Sequence, residues 1–429
     1  MEQQLQDLKQ AAESGQAAAQ YRYGAILLQQ GAIESAFSWL HKAAEQGVHR
    51  ATELIGTLIL TGHGVKPDAA LAFEYFRRAG QAGDAQALFR CAELMFSGKG
   101  INQDRAGAID CLIESAKQGY PLALRNIAFL MLAESTEQAT NCARTCLALA
   151  ALSGDPLSQH SYALLLRDLD ENEAGYWFAE AAQRGLSRAQ VNLQKYPQCE
   201  GVTHPDAAQR SQWLQQVQSY LDTYQFMATP DQQQSVALSQ NPDVKIATKL
   251  LSEIECDYLI HIAQPHLQPA KVVTVGQQEQ VDSYRTGETA NLAKVLDFIS
   301  DWLNERICRV AGVPVNHAEP TAIIHYKPGQ QYHEHGDYLP EQSPLMSIAA
   351  GGQRIKTALV YLNDDYIGGA TFFSTPNLKV LPKTGNAIVF INADEQGQPL
   401  VESKHAGQVV ESGEKWLLSI WLRQHPINR

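Results

Sequence analysis

The chain has 429 residues, of which 45% are hydrophobic and 19% are charged, and its formal net charge is −12. This length predicts two or three domains, and the composition is that of a globular protein rather than a disordered one. The negative charge disfavours nucleic acid as a partner, because binding to a phosphate backbone needs clustered Lys and Arg.

The first twenty residues are polar and alanine-rich, without a basic start and an apolar core, and no run approaches the roughly 18 apolar residues of a membrane span. The seven cysteines form no CxxC pair, which indicates buried thiols of a reducing compartment. Cys142 and Cys146 lie four residues apart on a predicted helix, where packing is favoured over a shared metal ion. We therefore expect a cytoplasmic protein that does not engage a membrane.

The amino-terminal half contains a repeat. A glycine followed four residues later by a small residue recurs, with glycine-to-glycine steps of 32, 36, 36, 35 and 31 residues, at Gly15/Ala19, Gly47/Ala51, Gly83/Ala87, Gly119/Ala123, Gly154/Ser158 and Gly185/Ala189. A large apolar residue stands seven positions before each later glycine, at Leu40, Phe76, Leu112, Leu147 and Phe178. Small residues allow helices to approach closely while large ones fill the gaps between pairs, so the pattern predicts a helix-pair solenoid.

Two loops of the array, residues 62–68 and 98–104, read Gly-x-Gly-(Val or Ile)-x-x-Asp. Through these turns and the repeat spacing, residues 15–190 resemble Sel1-like repeats, which are similar to tetratricopeptide arrays. The fourth and fifth units lack the glycine turn. The resemblance implies a surface that can hold another protein.

Apolar residues recur at helical spacing over residues 206–224, which predicts a helix that caps the array or braces it against the second half of the chain. Residues 228–243, with three consecutive glutamines between Pro230 and Pro242, are interpreted as an interdomain connection. The predicted domains are therefore repeats over residues 1–200, a capping helix and linker over 201–235, and a second folded domain over 236–429.

The second half begins with helical patterns over residues 252–264 and 293–311 and then becomes rich in strands. The predicted strands cover residues 321–326, 356–362, 370–374, 386–392 and 415–423. Short strands separated by Gly, Asn and Pro turns favour an antiparallel double sheet of the jelly-roll type. The predicted fold class is a multidomain protein in which an all-α helical-repeat solenoid precedes an α+β domain with a double-stranded β-helix (jelly-roll) core.

Residues 326–338 concentrate the polar side chains that could carry chemistry. Alternate residues of an extended chain point to one side, so His335 and Asp337 can face the same ion. His405, which follows a loop near the final strands, is the candidate third ligand, and two histidines with one carboxylate are typical of non-haem Fe(II) oxygenases. His333 lies on the same face as His335 and is an alternative ligand, whereas Glu334 should point into solvent.

Most of residues 283–424 resembles the prolyl 4-hydroxylase branch of the 2-oxoglutarate- and Fe(II)-dependent dioxygenases. The resemblance is carried by residues 284–286, 326–338, 353–364, 368–373, 385–390, 405–407 and 413–416. It implies that His335, Asp337 and His405 bind the iron and form the catalytic centre, and that Lys415 binds 2-oxoglutarate. By the same resemblance, Tyr326, Thr371 and Ser419 line the cosubstrate pocket, and Arg285 and Trp421 lie near the substrate. A solvated Lys415, a packing role for Trp421 and an exposed loop charge at Arg285 are the alternatives.

The resemblance implies a hydroxylase that uses Fe(II), 2-oxoglutarate and O2, with ascorbate as a further candidate. The leading hypothesis is a protein or peptide substrate hydroxylated at proline, with the repeats binding substrate or another partner. A hydroxylase of a free amino acid or another small molecule is the first alternative. A binding or sensing module without catalysis is the second.

Overall fold

The computed structural model describes residues 2–196, 202–226, 235–270, 272–273, 279–280, 284–292, 297–341 and 343–427. The chain divides into two compact units. The helical unit comprises Met1–Arg184, Tyr196–Met227 and Leu296–Phe298, and the sheet unit comprises Gly185–Lys195, Ala228–Val295 and Ile299–Arg429. Within the described ranges, no helix is both long enough and apolar enough to cross a bilayer.

Helices follow one another at the predicted repeat interval. They are α1 Glu2–Glu13, α2 Ala17–Gln29, α3 Ile33–Glu45, α4 His49–Thr61, α5 Ala69–Gln81, α6 Ala85–Ser97, α7 Arg105–Lys117, α8 Pro121–Glu134, α9 Glu137–Leu152, α10 Pro156–Leu166, α11 Glu171–Gln183 and α12 Ser187–Leu193. The six repeat glycines all have positive φ, from 79° at Gly119 to 93° at Gly15, a conformation that ends a helix and strains any other residue. This explains why glycine recurs at that position.

The large apolar residues of the repeat form the core of the array. Leu40, Phe76, Leu112, Leu147 and Phe178 are all completely buried. The small positions are matched to them, since a Cβ added to Gly56 would lie 2.8 Å from the Phe76 ring. The aspartates of the two loop motifs cap the next helix: Asp68 accepts from the backbone N–H of Leu71 and Asp104 from that of Gly107, each at 2.9 Å. The predicted helix-pair solenoid is confirmed.

The helix predicted over residues 206–224 is α13, Ala207–Leu221, which begins with a capping box formed by Asp206 and Gln209. It packs on the array, because Gln218 donates to the carbonyl of Lys117 at 2.7 Å. The Tyr224 hydroxyl beyond its end donates to Glu134 at 2.6 Å.

Six cysteines are free thiols, as predicted, and Cys199 lies outside the described residues.

The sheet unit contains two larger sheets and the helices α14 Glu253–Ala263 and α15 Phe298–Val310. The strands are β1 Ser235–Gln240, β2 Asp243–Ala247, β3 Gln268–Pro269, β4 Val272–Val273, β5 Glu279–Gln280, β6 Glu288–Asn291, β7 Ala322–Tyr326, β8 Tyr332–His335, β9 Arg354–Tyr361, β10 Ile367–Gly368, β11 Thr371–Phe373, β12 Leu378–Val380, β13 Ala387–Ile391, β14 His405–Gly407, β15 Val410–Ser412 and β16 Lys415–Arg423. An eight-stranded sheet has the order β1-β2-β13-β9-β16-β7-β6-β3, and a four-stranded sheet has the order β12-β11-β14-β8.

One buried cluster joins the two larger sheets, since Phe373 and Val380 of the smaller sheet pack with Ile324, Leu359 and other residues of the larger one. This is the predicted double-sheet jelly roll. Both helices that precede the predicted strands are present, although residues 293–296 of the predicted second helix lie outside the described residues.

The prediction of a connection over residues 228–243 is wrong for its second part. Residues 228–234 are outside the described ranges, but β1 forms a hairpin with β2 at the edge of the eight-stranded sheet. Five of its six residues are exposed, Val236 and Leu238 among them, so this edge strand buries neither face.

Candidate active site

Three side chains with metal-binding groups converge at one end of the four-stranded sheet. His405 of β14 pairs directly with His335 of β8, which places their ring centroids 4.4 Å apart. Asp337 lies two residues beyond His335, with Oδ1 3.6 Å from His335 Nε2 and Oδ2 3.8 Å from His405 Nε2. One ligand atom from each residue falls within 4.8 Å of the others, the only such group of three found in the part of the chain that the structure describes.

Backbone and side-chain hydrogen bonds orient these ligand atoms. His335 Nδ1 donates to the His333 carbonyl at 2.8 Å and His405 Nδ1 donates to the Ser403 carbonyl at 3.1 Å, so each Nε2 is left with a lone pair. The Thr357 hydroxyl donates to Asp337 Oδ2 at 2.7 Å, and the Asn392 amide donates in turn to that hydroxyl at 2.8 Å. The carboxylate is therefore held from the side of β9 and the Asn392 loop.

Burial sets the charge state of the group. Burial and, to a smaller extent, the neighbouring His405 lower the pKa of His335 to about 3, so His335 is neutral at physiological pH. Burial opposes charge on Asp337, but the two imidazoles and the Thr357 hydroxyl outweigh this effect and keep the pKa of its carboxyl below the usual value. Imidazole nitrogen together with an ionised carboxylate is a donor set that suits Fe(II) and leaves coordination positions for other ligands.

The neighbouring polar residues do not join this group. His333 and Glu334 are exposed, and His333 contributes its backbone carbonyl to orient His335. Strand β8 ends at His335, so Asp337 lies two residues beyond the strand, whereas the sequence analysis had placed both residues on one extended segment.

Lys415 is almost completely buried, with 1% of its surface exposed, so a solvated surface lysine is excluded. Its Nζ donates to the Gly369 carbonyl at 2.7 Å and lies 5.3 Å from the Tyr361 ring centroid and 5.8 Å from that of Tyr326. Among the described residues no carboxylate pairs with it. Burial lowers the pKa of Lys415 to about 7, so an anion that binds here regains the energy lost by desolvation.

Side chains of four strands, β7, β9, β11 and β16, lie near Lys415. Tyr326 lies opposite Lys415 in the β7–β16 ladder, and Ser419 faces the same side of β16 as Lys415. The Thr371 hydroxyl hydrogen-bonds with that of Tyr361. A dicarboxylate such as 2-oxoglutarate fits a pocket with one buried ammonium and several hydroxyl groups.

Aromatic rings and guanidinium groups lie next to His335 and Asp337. The Tyr332 ring stacks on His335 at 3.5 Å, and the Arg285 guanidinium lies 4.9 Å from the Tyr332 ring centroid. Arg354 lies 4.1 Å from the Trp421 ring centroid and donates to the backbone carbonyl of Asp337 at 3.4 Å. Arg285 is buried, so it is not an exposed loop charge.

Several residues of this site were missed by the sequence reasoning. Tyr361 occupies an inward position of a predicted strand, so strand alternation could have identified it. Tyr332 lies inside the stretch already singled out, three residues before His335. Arg354 and Thr357 reach the site only through the pairing of β9 with its neighbours, which leaves no local pattern in the sequence.

Comparisons with known proteins agree with this geometry. Residues 321–423 match the 2OG-Fe(II) oxygenase superfamily, and residues 17–48, 50–84, 85–120 and 161–186 match the Sel1 repeat. Residues between 121 and 160 are not matched, in line with the missing glycine turn of the fourth unit.

Two relatives and one solved structure illustrate the likeness. Prolyl 4-hydroxylase 1 of Arabidopsis thaliana is 34% identical over 203 residues, which cover 44% of this chain and 71% of that protein. A protein of Acanthamoeba polyphaga mimivirus that carries the prolyl 4-hydroxylase name is 34% identical over 182 residues, covering 42% and 73%. The viral collagen prolyl hydroxylase of Paramecium bursaria Chlorella virus-1, solved with 2OG, is 28% identical, with a TM-score of 0.34, over 42% of this chain and 95% of that one. The chain therefore belongs to the 2OG-Fe(II) oxygenase superfamily, as a prolyl 4-hydroxylase-like dioxygenase that also contains Sel1 repeats.

Proposed function

We propose that this dioxygenase hydroxylates a prolyl residue of a protein or peptide substrate. In this family 2-oxoglutarate is decarboxylated to succinate and CO2, one oxygen atom of O2 enters the succinate, and the other enters a C–H bond of the substrate. His335, Asp337 and His405 are proposed to hold the Fe(II). Lys415, together with Tyr326, Thr371 and Ser419, is proposed to hold the cosubstrate.

Two N–H donors near the proposed iron ligands support a peptide substrate, because neither has a hydrogen-bond partner among the described residues. Arg285 Nε and Trp421 Nε1 are buried and have no hydrogen-bond partner among the described residues. Each belongs to an aromatic–guanidinium pair that touches a residue of the ligand group, through Tyr332 or through Arg354. Donors of this kind suit peptide carbonyl oxygens, and rigid aromatic rings suit the flat pyrrolidine ring and extended backbone of proline-containing segments.

Peptide turnover gives a direct test. Anaerobic protein is loaded with Fe(II) and then supplied with O2, 2-oxoglutarate and a library of proline-containing peptides. Succinate formation and the gain of one oxygen on proline, located by mass spectrometry, are expected, and His405→Ala and Asp337→Ala should abolish both. Turnover of free amino acids without any peptide turnover would instead favour a small-molecule hydroxylase.

The repeats are proposed to hold the substrate protein or another partner close to the oxygenase. Once a substrate is known, kcat/KM for the intact protein should exceed that for the short peptide around its target proline. Equal values would argue against a recruiting role.

Two further assignments are proposals of the same kind. A cytoplasmic location is supported by the free thiols and is tested by cell fractionation. Ascorbate is proposed to keep the iron ferrous, in which case its omission should shorten the period of linear succinate formation.

A further inference from the structure

The hydroxyl of Tyr366 is an unexplained group beside the proposed cosubstrate pocket. Its oxygen is buried and has no hydrogen-bond partner among the described residues. Burying a hydroxyl without a partner is unfavourable, so such a group is normally paired with a ligand or an ordered water molecule. The position of Tyr366 indicates which ligand this is.

Tyr366 and Lys415 flank the same residue. A Cβ added to Gly369 would lie 3.1 Å from Cε2 of the Tyr366 ring and 3.2 Å from Cδ of Lys415. The Gly369 carbonyl is also the acceptor for Lys415 Nζ. The Tyr366 ring and the lysine side chain are therefore close neighbours.

The other two phenols near Lys415 already interact with protein groups. Tyr326 pairs with the Arg285 guanidinium, and Tyr361 hydrogen-bonds with Thr371. Burial and the nearby Tyr361 phenol raise the pKa of Tyr366, so Tyr366 is a neutral hydrogen-bond donor over the physiological range. Of the three phenols, Tyr366 is the one whose hydroxyl has no hydrogen-bond partner among the described residues.

The loop that carries Tyr366 is fixed by its neighbours. Arg188 donates to Asp365 at 3.0 Å, and the Asn363 amide donates to Asp365 and to the Glu414 carbonyl, each at 2.6 Å. The tight turn at Gly413 holds it from the other side, since a Cβ there would lie 2.6 Å from the Asp365 carbonyl oxygen. Tyr366 is thus positioned before any ligand arrives, which reduces the cost of ordering it on binding.

We propose that Tyr366 donates a hydrogen bond to the distal carboxylate of 2-oxoglutarate, beside Lys415, and so makes the pocket selective for a dicarboxylate. The inference rests on the assignment of Lys415 to this cosubstrate. A carboxylate accepts several hydrogen bonds, so the ammonium and the phenol can bind it together.

The test measures binding rather than turnover. Protein loaded with Mn(II) in place of Fe(II) is titrated calorimetrically with 2-oxoglutarate and with oxalate, a chelator that has no distal carboxylate. Loss of a hydrogen bond to a charged group should raise the Kd of Tyr366→Phe for 2-oxoglutarate about 10- to 100-fold. The Kd for oxalate should not change. The Tm of the cosubstrate-free variant should equal or exceed that of the wild type, because the lost hydroxyl had no partner.

Each other outcome has a definite meaning. A 2-oxoglutarate Kd within twofold of wild type, or an equal loss for oxalate, would overturn the proposal, and the first result would assign the hydroxyl to a water molecule. A lower Tm without ligand would indicate a structural role. Tyr258→Phe, at a buried tyrosine of α14, is the matched control and should leave both Kd values unchanged. If the wild type bound oxalate but not 2-oxoglutarate, the assignment of Lys415 would fail and this inference with it.

Discussion

Replacing Thr357 by valine removes one hydroxyl from the active site with little change in side-chain shape. Thr357 is completely buried, and its hydroxyl links the Asn392 amide to Asp337 Oδ2. The variant loses a hydrogen bond to a charged group, worth about 1.5–3 kcal/mol, and leaves the Asn392 donor unpaired, at about 1–3 kcal/mol. The two losses share one hydroxyl and so overlap, and we expect the free energy of unfolding to fall by about 3–4 kcal/mol.

The pH dependence separates the two contributions. The Asp337 carboxyl has a lowered pKa in the folded protein, so its share of the stability is present above the unfolded value of about 3.9 and is lost as pH falls through the lower folded value. The difference between wild type and Thr357→Val should therefore shrink as pH decreases below about 4. Thr357→Ser keeps the hydroxyl and should cost only about 1 kcal/mol.

Denaturant unfolding of the metal-free protein at several pH values measures these differences, and Mn(II) titration provides a second readout. Loss of a group that orients a metal ligand typically reduces metal affinity about 10- to 100-fold, which is the expected effect for valine but not for serine. If valine and serine behaved alike in both assays, the hydroxyl would have no orienting role. A stability difference that stayed constant from pH 7 to pH 3 would contradict the link to the Asp337 charge.

Three further results are expected from buried contacts. The pKa of Lys415 is about 7 in the folded protein and 10.5 when unperturbed, so the free energy of unfolding of the wild type should rise with pH between these two values. Relative to Lys415→Met, the rise should reach about 1.4 kcal/mol per pH unit. The affinity of the wild type for 2-oxoglutarate should fall over the same pH range, whereas that of Lys415→Arg should not. Arg188→Ala removes the guanidinium that lies 2.7 Å from the buried Asp257 carboxylate, and should lower the stability of the sheet unit by about 1.5–3 kcal/mol in denaturant unfolding; an unchanged midpoint would contradict this. Gly56→Ala should lower Tm through a cost of about 1–3 kcal/mol, because its Cβ would overlap the Phe76 ring, and Phe76→Leu should partly restore it; additive losses would exclude that contact.

The helical array could be predicted almost completely because its information is local and repeated. Each repeat glycine marks a left-handed helix end, and each large residue such as Leu40 or Phe76 marks a buried position, so the same evidence appears several times. The jelly roll was predicted less completely. Strands β8, β12, β14 and β15, which were not among the predicted strands, have three or four residues, which is too few for an alternating pattern to be recognised.

In the candidate active site, too, some contacts follow from local sequence spacing and others do not. His335 and Asp337 are neighbours in sequence, so their spacing alone suggested a shared ion. His405 reaches them only because β14 pairs with β8, and Thr357 reaches Asp337 only because β9 lies within the larger sheet. Contacts that depend on strand register and on packing between sheets could not be derived from spacing, and the resemblance to a family supplied some of them.

The choice of lysine at position 415 has a physical consequence for the ligand-free state of the pocket. A fully buried guanidinium would stay charged without a carboxylate, because arginine does not lose its proton at accessible pH. The Lys415 ammonium, with its pKa lowered to about 7, can become neutral at modest cost when no anion is bound. When a dicarboxylate binds, the lysine takes up a proton and regains its charge, so binding and protonation are coupled. Lysine therefore lowers the energetic cost of the ligand-free state and makes cosubstrate affinity dependent on pH, whereas arginine at the same place would give a constant charge and a less stable free protein.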